Sequence, residues 1–358
     1  MNPPTDDAPP PDGFARQLIA WQRRFGRHGL PWQGTRDPYR VWLSEVMLQQ
    51  TQVSTVLSYY PRFLQRFPDV HALAQAHEDE VMALWSGLGY YSRARNLHRC
   101  ARTVVAEHGG TFPFTAAGLE TLPGIGASTA AAIAAFCHGE RVSILDGNVR
   151  RVLTRVLAFE GDLAQPVQQR ALWTRAQALL PPTPEGDDMA AYTQGLMDLG
   201  ATVCTRSRPR CAECPMQTIC RAAARGTPCD FPVKTRTLLR RHETWVLLIC
   251  RAQRDAQAHV WLQRRPSRGI WAGLYCTPVH ADEAQALASL PTHVWRSPPH
   301  SLAAFSHPLT HRELRLQPVL VEVDGAWTPG DGHWVALSRL GDIGLPAPLR
   351  TLLDRLPD

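Results

Sequence analysis

The chain has 358 residues, 44% of them hydrophobic and 20% charged, with a formal net charge of +6. That length exceeds one ordinary hydrophobic core and predicts two domains, and no apolar run is long enough to cross a bilayer. The basic balance suits a polyanion such as nucleic acid, and because the only lysine is Lys234, residues 1–233 offer no side-chain amine for a Schiff base.

In chain order, residues 1–13 (MNPPTDDAPPPDG) read as a disordered tail. They lack the basic start and apolar centre of a signal peptide, so a cytoplasmic protein is expected. Residues 14–229 read as helix after helix. Asp37 with Pro38 forms an N-cap followed by proline, opening DPYRVWLSEVMLQQ. Ser92 starts SRARNLHRCARTVVAEHG, which Gly109 and Gly110 end. Short helices over 115–121 and 127–136 flank the turn LPGIG, and further helices are predicted over 146–159, 165–180 and 187–203. The polar, basic stretch 230–241 reads as a linker. Beyond it, residues 242–358 carry the strand-like runs TWVLLIC, HVWLQRR, GLYCTPV and LQPVLVEV, with one helix, ADEAQALASL. The second domain is therefore expected to be α+β.

Two local patterns carry chemistry. Leu122-Pro123-Gly124-Ile125-Gly126, followed by a helix, is a helix-hairpin-helix pattern. Gly124 and Gly126 let backbone N–H groups approach a phosphate at a helix N-terminus, a contact that carries no sequence preference. Cys204, Cys211, Cys214 and Cys220 form a C-x6-C-x2-C-x5-C loop interleaved with Arg206, Arg208 and Arg210. Four thiols so close are a metal site or a disulfide pair, and a reducing compartment favours metal.

Between these patterns lies Ile144-Leu145-Asp146-Gly147-Asn148-Val149-Arg150. The hairpin, Asp146 and the cysteine loop, in this order, resemble the helix-hairpin-helix DNA glycosylase superfamily, in its branch with a 4Fe-4S cluster. The resemblance implies a mostly α, two-lobed glycosylase domain whose four cysteines hold the cluster, and Asp146 at the mouth of a base pocket. Lyases of this superfamily attack the sugar with a lysine just after the hairpin; here that place is Ser128.

The string SEVMLQQTQV, with LPW before it and GLGYYSRARNL after, narrows the resemblance to the adenine DNA glycosylase family. It covers about residues 30–220. In that family the glutamate matching Glu45 protonates adenine. Asp146 then stabilises an oxocarbenium-like sugar, Asn148 orients Asp146 or water, and Ser128 lines the pocket. Tyr90 and Leu88 of the GLGYY run and Gln50 are expected at the DNA, Tyr90 as a wedge. Trp32 is expected in the core.

The run QRRPSRGIWAGLY (263–275) is similar to the Nudix-like C-terminal domain of the same family. The helix ADEAQALASL has only Asp282 and Glu283 where a working Nudix hydrolase needs a glutamate-rich metal-binding helix, so a non-hydrolytic reader is expected. Phe305-Ser306-His307 matches the family's loop for 8-oxoguanine, with Ser306 and His307 as contacts. The resemblance implies a monofunctional glycosylase, monomeric and without membrane partners, on bacterial nucleoid DNA with 8-oxoguanine:adenine or guanine:adenine mispairs. A thymine-glycol-type glycosylase/lyase and a non-catalytic DNA-binding protein are the alternatives.

Overall fold

The computed structural model describes residues 13–235, 240–328 and 330–356 and divides into two compact units. The expected tail lies outside the described residues except for Gly13. The first unit comprises the described residues up to Ala74 and those from Arg99 to Thr235.

In the first unit, helices Phe14–Phe25, Gly147–Leu157, Pro166–Ala178 and Asp188–Thr202 share a core containing Leu18, Leu153, Leu172, Tyr192 and Leu196, each at most 1% exposed. Burying each such side chain contributes roughly 2 kcal/mol. The cysteine loop joins this core through Met216. A second group comprises helices Pro38–Leu48, Val53–Arg66 and Val70–Gln75. Here Trp42 packs on Phe112 with ring centroids 5.2 Å apart, and the Tyr39 hydroxyl donates to Phe67 O at 2.7 Å. Helix Ala127–His138 belongs to both groups. Its buried alanines (Ala130, Ala131, Ala132, Ala134 and Ala135) let neighbouring helices approach closely.

The stretch expected as a linker is partly packed. Phe231 is buried with Ala158 and Ala222, and Leu163 N–H donates to Val233 O at 3.1 Å. The reason is compositional: Phe231 and Val233 are apolar side chains within an otherwise polar run. Residues 236–239 of that stretch lie outside the described residues.

The second unit holds the described residues from Arg240 onward together with Gln75–His98. Its central strand, Arg241–Arg254, runs parallel to Arg312–Glu322 and antiparallel to Gln257–Arg264. Val246 to Cys250 are all fully buried. A central strand covered on both faces shows no alternation, which accounts for the unbroken apolar run VLLIC. GLYCTPV becomes two short strands, Tyr275–Cys276 and Val279–His280. The helix Glu283–Ala288 is capped by Asp282, whose carboxylate accepts from Gln285 N–H. Glu283 meets the Ser301 hydroxyl at 3.2 Å.

Two expectations are corrected here. A single boundary near residue 230 does not describe the domains, because Gln75–His98 packs with the strands. Val81, Met82, Trp85 and Leu88 are buried, the Ser86 and Tyr91 hydroxyls donate to Leu345 O at 2.8 and 3.0 Å, and Arg264 pairs with Asp79. Second, the segment expected as a loop, Phe305-Ser306-His307, is a strand, Phe305–Pro308, antiparallel to Arg312–Glu322 with Ser306 opposite Arg315. Backbone pairing with a long neighbouring strand overrides its polar, proline-containing sequence.

Candidate active site

Glu45 lies on helix Pro38–Leu48. Asp37 caps this helix, accepting from Tyr39 N–H at 2.9 Å, and Pro38 fills the first turn. Most of the helix surface is buried: Val41, Trp42, Leu43, Val46 and Met47 are all in the core. Glu45 is set deep among them, yet part of its surface opens on a large cavity also lined by Arg27, Trp32, Ser44, Phe136 and Gln194. Trp32 is buried as expected and also forms cavity wall, stacked edge-on against Tyr60 at 5.5 Å.

Asp146 is the N-cap of helix Gly147–Leu157, accepting from Val149 N–H at 2.7 Å. Its position is fixed through the preceding residue. Leu145 N–H donates to Ser128 Oγ at 3.0 Å, and Arg150 Nε donates to Leu145 O at 3.0 Å. Two residues further back, Ser143 N–H donates to Gln177 Oε1 at 2.8 Å. Ser128 therefore has a structural task, since its hydroxyl ties the hairpin helix to the segment presenting Asp146. It does not line the cavity that Glu45 faces.

The two carboxyl groups differ in environment. Burial, with the Asp146 charge as the second cause, pushes Glu45 up to about 8. Burial also raises Asp146, but the backbone N–H groups of Val149 and Asn148 and the nearby Arg151 and Arg150 oppose it. Asp146 has donors and positive charge that favour its ionised form, and the helix dipole adds to them. The causes acting on Glu45 all favour its proton. Burial still prevails at Asp146, whose carboxyl is raised overall, but Asp146 has partners for a negative charge that Glu45 lacks.

Asn148 is half-buried. Its Oδ1 accepts from Arg151 Nη2 at 2.8 Å, while Arg151 also donates to Gly200 O and Cys204 O. Gly200 permits this approach, because a Cβ there would stand 2.7 Å from Asn148 Cβ. Asn148, Arg151 and the first cysteine are consequently joined in one network, which sequence reasoning missed. Arg151 lies one turn after Asn148, but nothing in their types specifies the pairing.

In the hairpin, Gly124 has φ of 78° and Gly126 is the N-cap of helix Ala127–His138 with no side-chain cap. This leaves the backbone N–H groups of its first turn available to a phosphate. Gln50 and Tyr90 are both exposed and both held at positive φ, 56° and 48°. Left-handed backbone at non-glycine residues costs about 1–2 kcal/mol and clusters at working sites. Gln50 is held by the Thr51 N–H to Leu48 O turn and by the neighbouring Gln49 Nε2 on Thr129 Oγ1. Tyr90 sits under the Arg93 guanidinium, and its hydroxyl is 3.2 Å from Thr310 Oγ1. Leu88, by contrast, is 5% exposed. Ser306 is exposed; His307 packs near Trp271, and burial lowers its pKa.

Cys204, Cys211, Cys214 and Cys220 all line one small cavity of about 20 Å³. Arg155, 1% exposed, donates to Cys204 Sγ at 3.3 Å and to Thr205 O at 2.7 Å. Burial raises the Cys211, Cys214 and Cys220 thiols, and their mutual proximity adds to it. Among the described residues no group of three or more His, Cys, Asp or Glu is arranged to hold a metal ion. The four cysteines therefore share a cavity without converging on a single point.

A raised carboxyl pKa has a defined effect on stability. The folded protein keeps a proton on Glu45 up to about pH 8, whereas the unfolded chain releases it near 4.5. Folding stability from this group is intact below about 4.5 and is lost as pH rises toward 8. Glu45→Gln removes that loss. The variant is expected to be more stable than the parent by about 1–3 kcal/mol at pH 8, with the gain disappearing below pH 4.5, in chemical denaturation across pH.

Comparison with known proteins places this geometry. Residues 43–176 match the HhH-GPD superfamily of base excision DNA repair proteins, and residues 246–355 match the NUDIX domain. The chain is 31% identical to the adenine DNA glycosylase of Buchnera aphidicola subsp. Baizongia pistaciae over 96% of both chains. It is 47% identical to the adenine DNA glycosylase of Mus musculus, over 59% of this chain and 42% of that one. It is also 35% identical to a thymine-DNA glycosylase of Aeropyrum pernix, over 58% of this chain and 93% of that one. Among solved structures it is similar to a thermostable thymine-DNA glycosylase, with TM-score 0.51 and 26% identity over 59% of this chain and 95% of that one. A helical glycosylase domain followed by a Nudix-like α+β domain, matched along nearly the whole chain, identifies a DNA glycosylase of base excision repair: the chain belongs to the adenine DNA glycosylase family.

Proposed function

We propose that the protein hydrolyses the N-glycosidic bond of adenine mispaired with 8-oxoguanine or guanine in duplex DNA, without a lyase step, leaving an abasic site. The observation that carries this reading is Glu45, held protonated at neutral pH, open to a large cavity and close enough to the capped Asp146 to feel its charge. Adenine must leave the stack to reach such a pocket. Glu45 protonates the ring, the C–N bond breaks toward an oxocarbenium-like sugar, and ionised Asp146 stabilises that cation until water adds. The Asn148–Arg151 pair holds the helix end that presents Asp146. Hydrolysis rather than amine attack follows from the lack of lysine in residues 1–233 and from Ser128, whose hydroxyl is engaged by Leu145.

The hairpin N–H groups, the strained Gln50 and Tyr90, and the exposed Arg206 and Arg208 supply contacts to DNA. Ser306 and His307 read 8-oxoguanine from the Phe305–Pro308 strand. The closeness of Tyr90 to Thr310 supports this, because it brings the wedge to the end of that strand. The four cysteines would hold a 4Fe-4S cluster, whose part here is to fix the shape of the arginine-bearing loop. A cluster spaces its thiolates farther apart than one ion does, which fits four sulfurs around a cavity. The buried Arg155 guanidinium fits an anionic occupant.

The general acid must be protonated and Asp146 ionised. Single-turnover adenine release should therefore fall as pH rises through about 8 and fall again in acid as Asp146 takes up a proton. Glu45→Gln should bind mispaired DNA and lose release by about 100-fold or more. Near-parental release by that variant contradicts the acid role, and borohydride trapping of enzyme on DNA contradicts hydrolysis. Replacing Ser306 and His307 together with alanine should lower the preference for 8-oxoguanine:adenine over guanine:adenine by about tenfold, and an unchanged ratio removes them as readers. Purified protein should carry about four iron and four acid-labile sulfide atoms per chain, and Cys214→Ala should lose them; a protein containing only zinc refutes the cluster.

A further inference from the structure

The turn that displays Tyr90 is built from costly backbone. Gly87 and Gly89 have φ of 103° and 71°, and Tyr90 follows at 48°. Two side chains of the same folded unit hold this turn. Trp85, fully buried, donates from Nε1 to Gly89 O at 3.1 Å. Arg93, 8% exposed, donates from Nη2 to Leu88 O and to Gly89 O, both at 3.2 Å. The Arg93 backbone N–H donates to Tyr90 O at 2.9 Å. The carbonyls of Leu88, Gly89 and Tyr90 thus each accept from Trp85 or Arg93.

The same guanidinium also meets two aromatic rings. Its central carbon stands 5.3 Å from the Trp85 ring centroid and 5.5 Å from that of Tyr90. The first ring belongs to the core, and the second is 45% exposed. Arg93 therefore ties a protruding ring to the core through one cationic group that bonds carbonyls and attracts both π faces. Burial lowers its pKa to about 10, which leaves it charged at neutral pH. A lysine there would keep the charge and lose the arrangement, because an ammonium is a point donor without a plane to serve carbonyls and rings together.

We infer that Arg93 is a positioning residue that braces Tyr90 for insertion into DNA and does not itself touch DNA. The inference rests on reading Tyr90 as the wedge. A side chain driven between base steps must part the stack and withstand its closing. Tyr90 has left-handed backbone that favours relaxation, so an unsupported ring would swing aside rather than part the bases. The Trp85–Arg93 pair removes that freedom before DNA arrives, and its burial keeps it out of the groove.

The test is a double-mutant cycle on affinity for duplex DNA with an 8-oxoguanine:adenine mispair, whose adenosine carries a 2′-fluorine that blocks release. The proteins are the parent, Arg93→Lys, Tyr90→Ala and the double variant. Each single variant should bind about tenfold more weakly than the parent. In the Tyr90→Ala background, Arg93→Lys should cost nothing further, because the ring it braces is gone. Losses that multiply in the double variant show a role independent of Tyr90 and overturn the inference, as does parental affinity in Arg93→Lys. Trp85→Phe keeps a ring beside the guanidinium and removes the donor to Gly89 O. Should Arg93→Lys fail to fold, Trp85→Phe carries the same cycle, with a loss that again vanishes in Tyr90→Ala. Parental affinity in Tyr90→Ala alone contradicts the wedge reading itself, an outcome distinct from multiplying losses.

Discussion

The site depends on holding two neighbouring carboxyl groups in opposite environments. Asp146 caps a helix, accepts a 2.7 Å bond from Val149 N–H and lies near two arginines, all of which favour its charge against burial. Glu45 is buried, and its one charged influence is that same Asp146 anion, which repels a second negative charge. The helix cap therefore does more than end a helix: it gives a negative charge on Asp146 its partners, and that charge raises Glu45. Much of the first unit serves this arrangement. The hairpin helix reaches the Asp146 segment through Ser128, the next helix through Arg150, and Pro166–Ala178 through Gln177.

The second unit has a different task. It has a central strand buried from Val246 to Cys250 and, among the described residues, no glutamate-rich metal helix; Asp282 is spent as a cap and Glu283 on Ser301. What it offers is an exposed strand with Ser306 and a half-buried His307, close to the turn that displays Tyr90. The turn belongs to this unit through Ser86, Tyr91 and Asp79. A residue far upstream in sequence is thus carried by the same folded body as the downstream strand.

Much of this was legible in the sequence. Caps and breakers such as Asp37-Pro38 and Gly109-Gly110 mark local energetics and are readable one turn at a time. Glu45, Asp146 and the four cysteines stood out through spacing and family resemblance. Long-range pairing was not legible. That Gln75–His98 packs with residues beyond 240, that Phe305–Pro308 is a strand and that Leu88 is buried all depend on partners distant in the chain. The same holds for Ser128, whose absent amine was readable while its bond to Leu145 was not.

The coupling between the two carboxyl groups is open to direct measurement. Carbon-13 labelling of glutamate and aspartate side chains, with Glu45→Gln used to assign the signal, allows Glu45 to be titrated by NMR in the parent and in Asp146→Asn. Glu45 should titrate near pH 8 in the parent and at a lower pH once the neighbouring charge is removed. A Glu45 that titrates near 4.5 in both proteins would contradict the account, because no proton would then be held for the base at neutral pH.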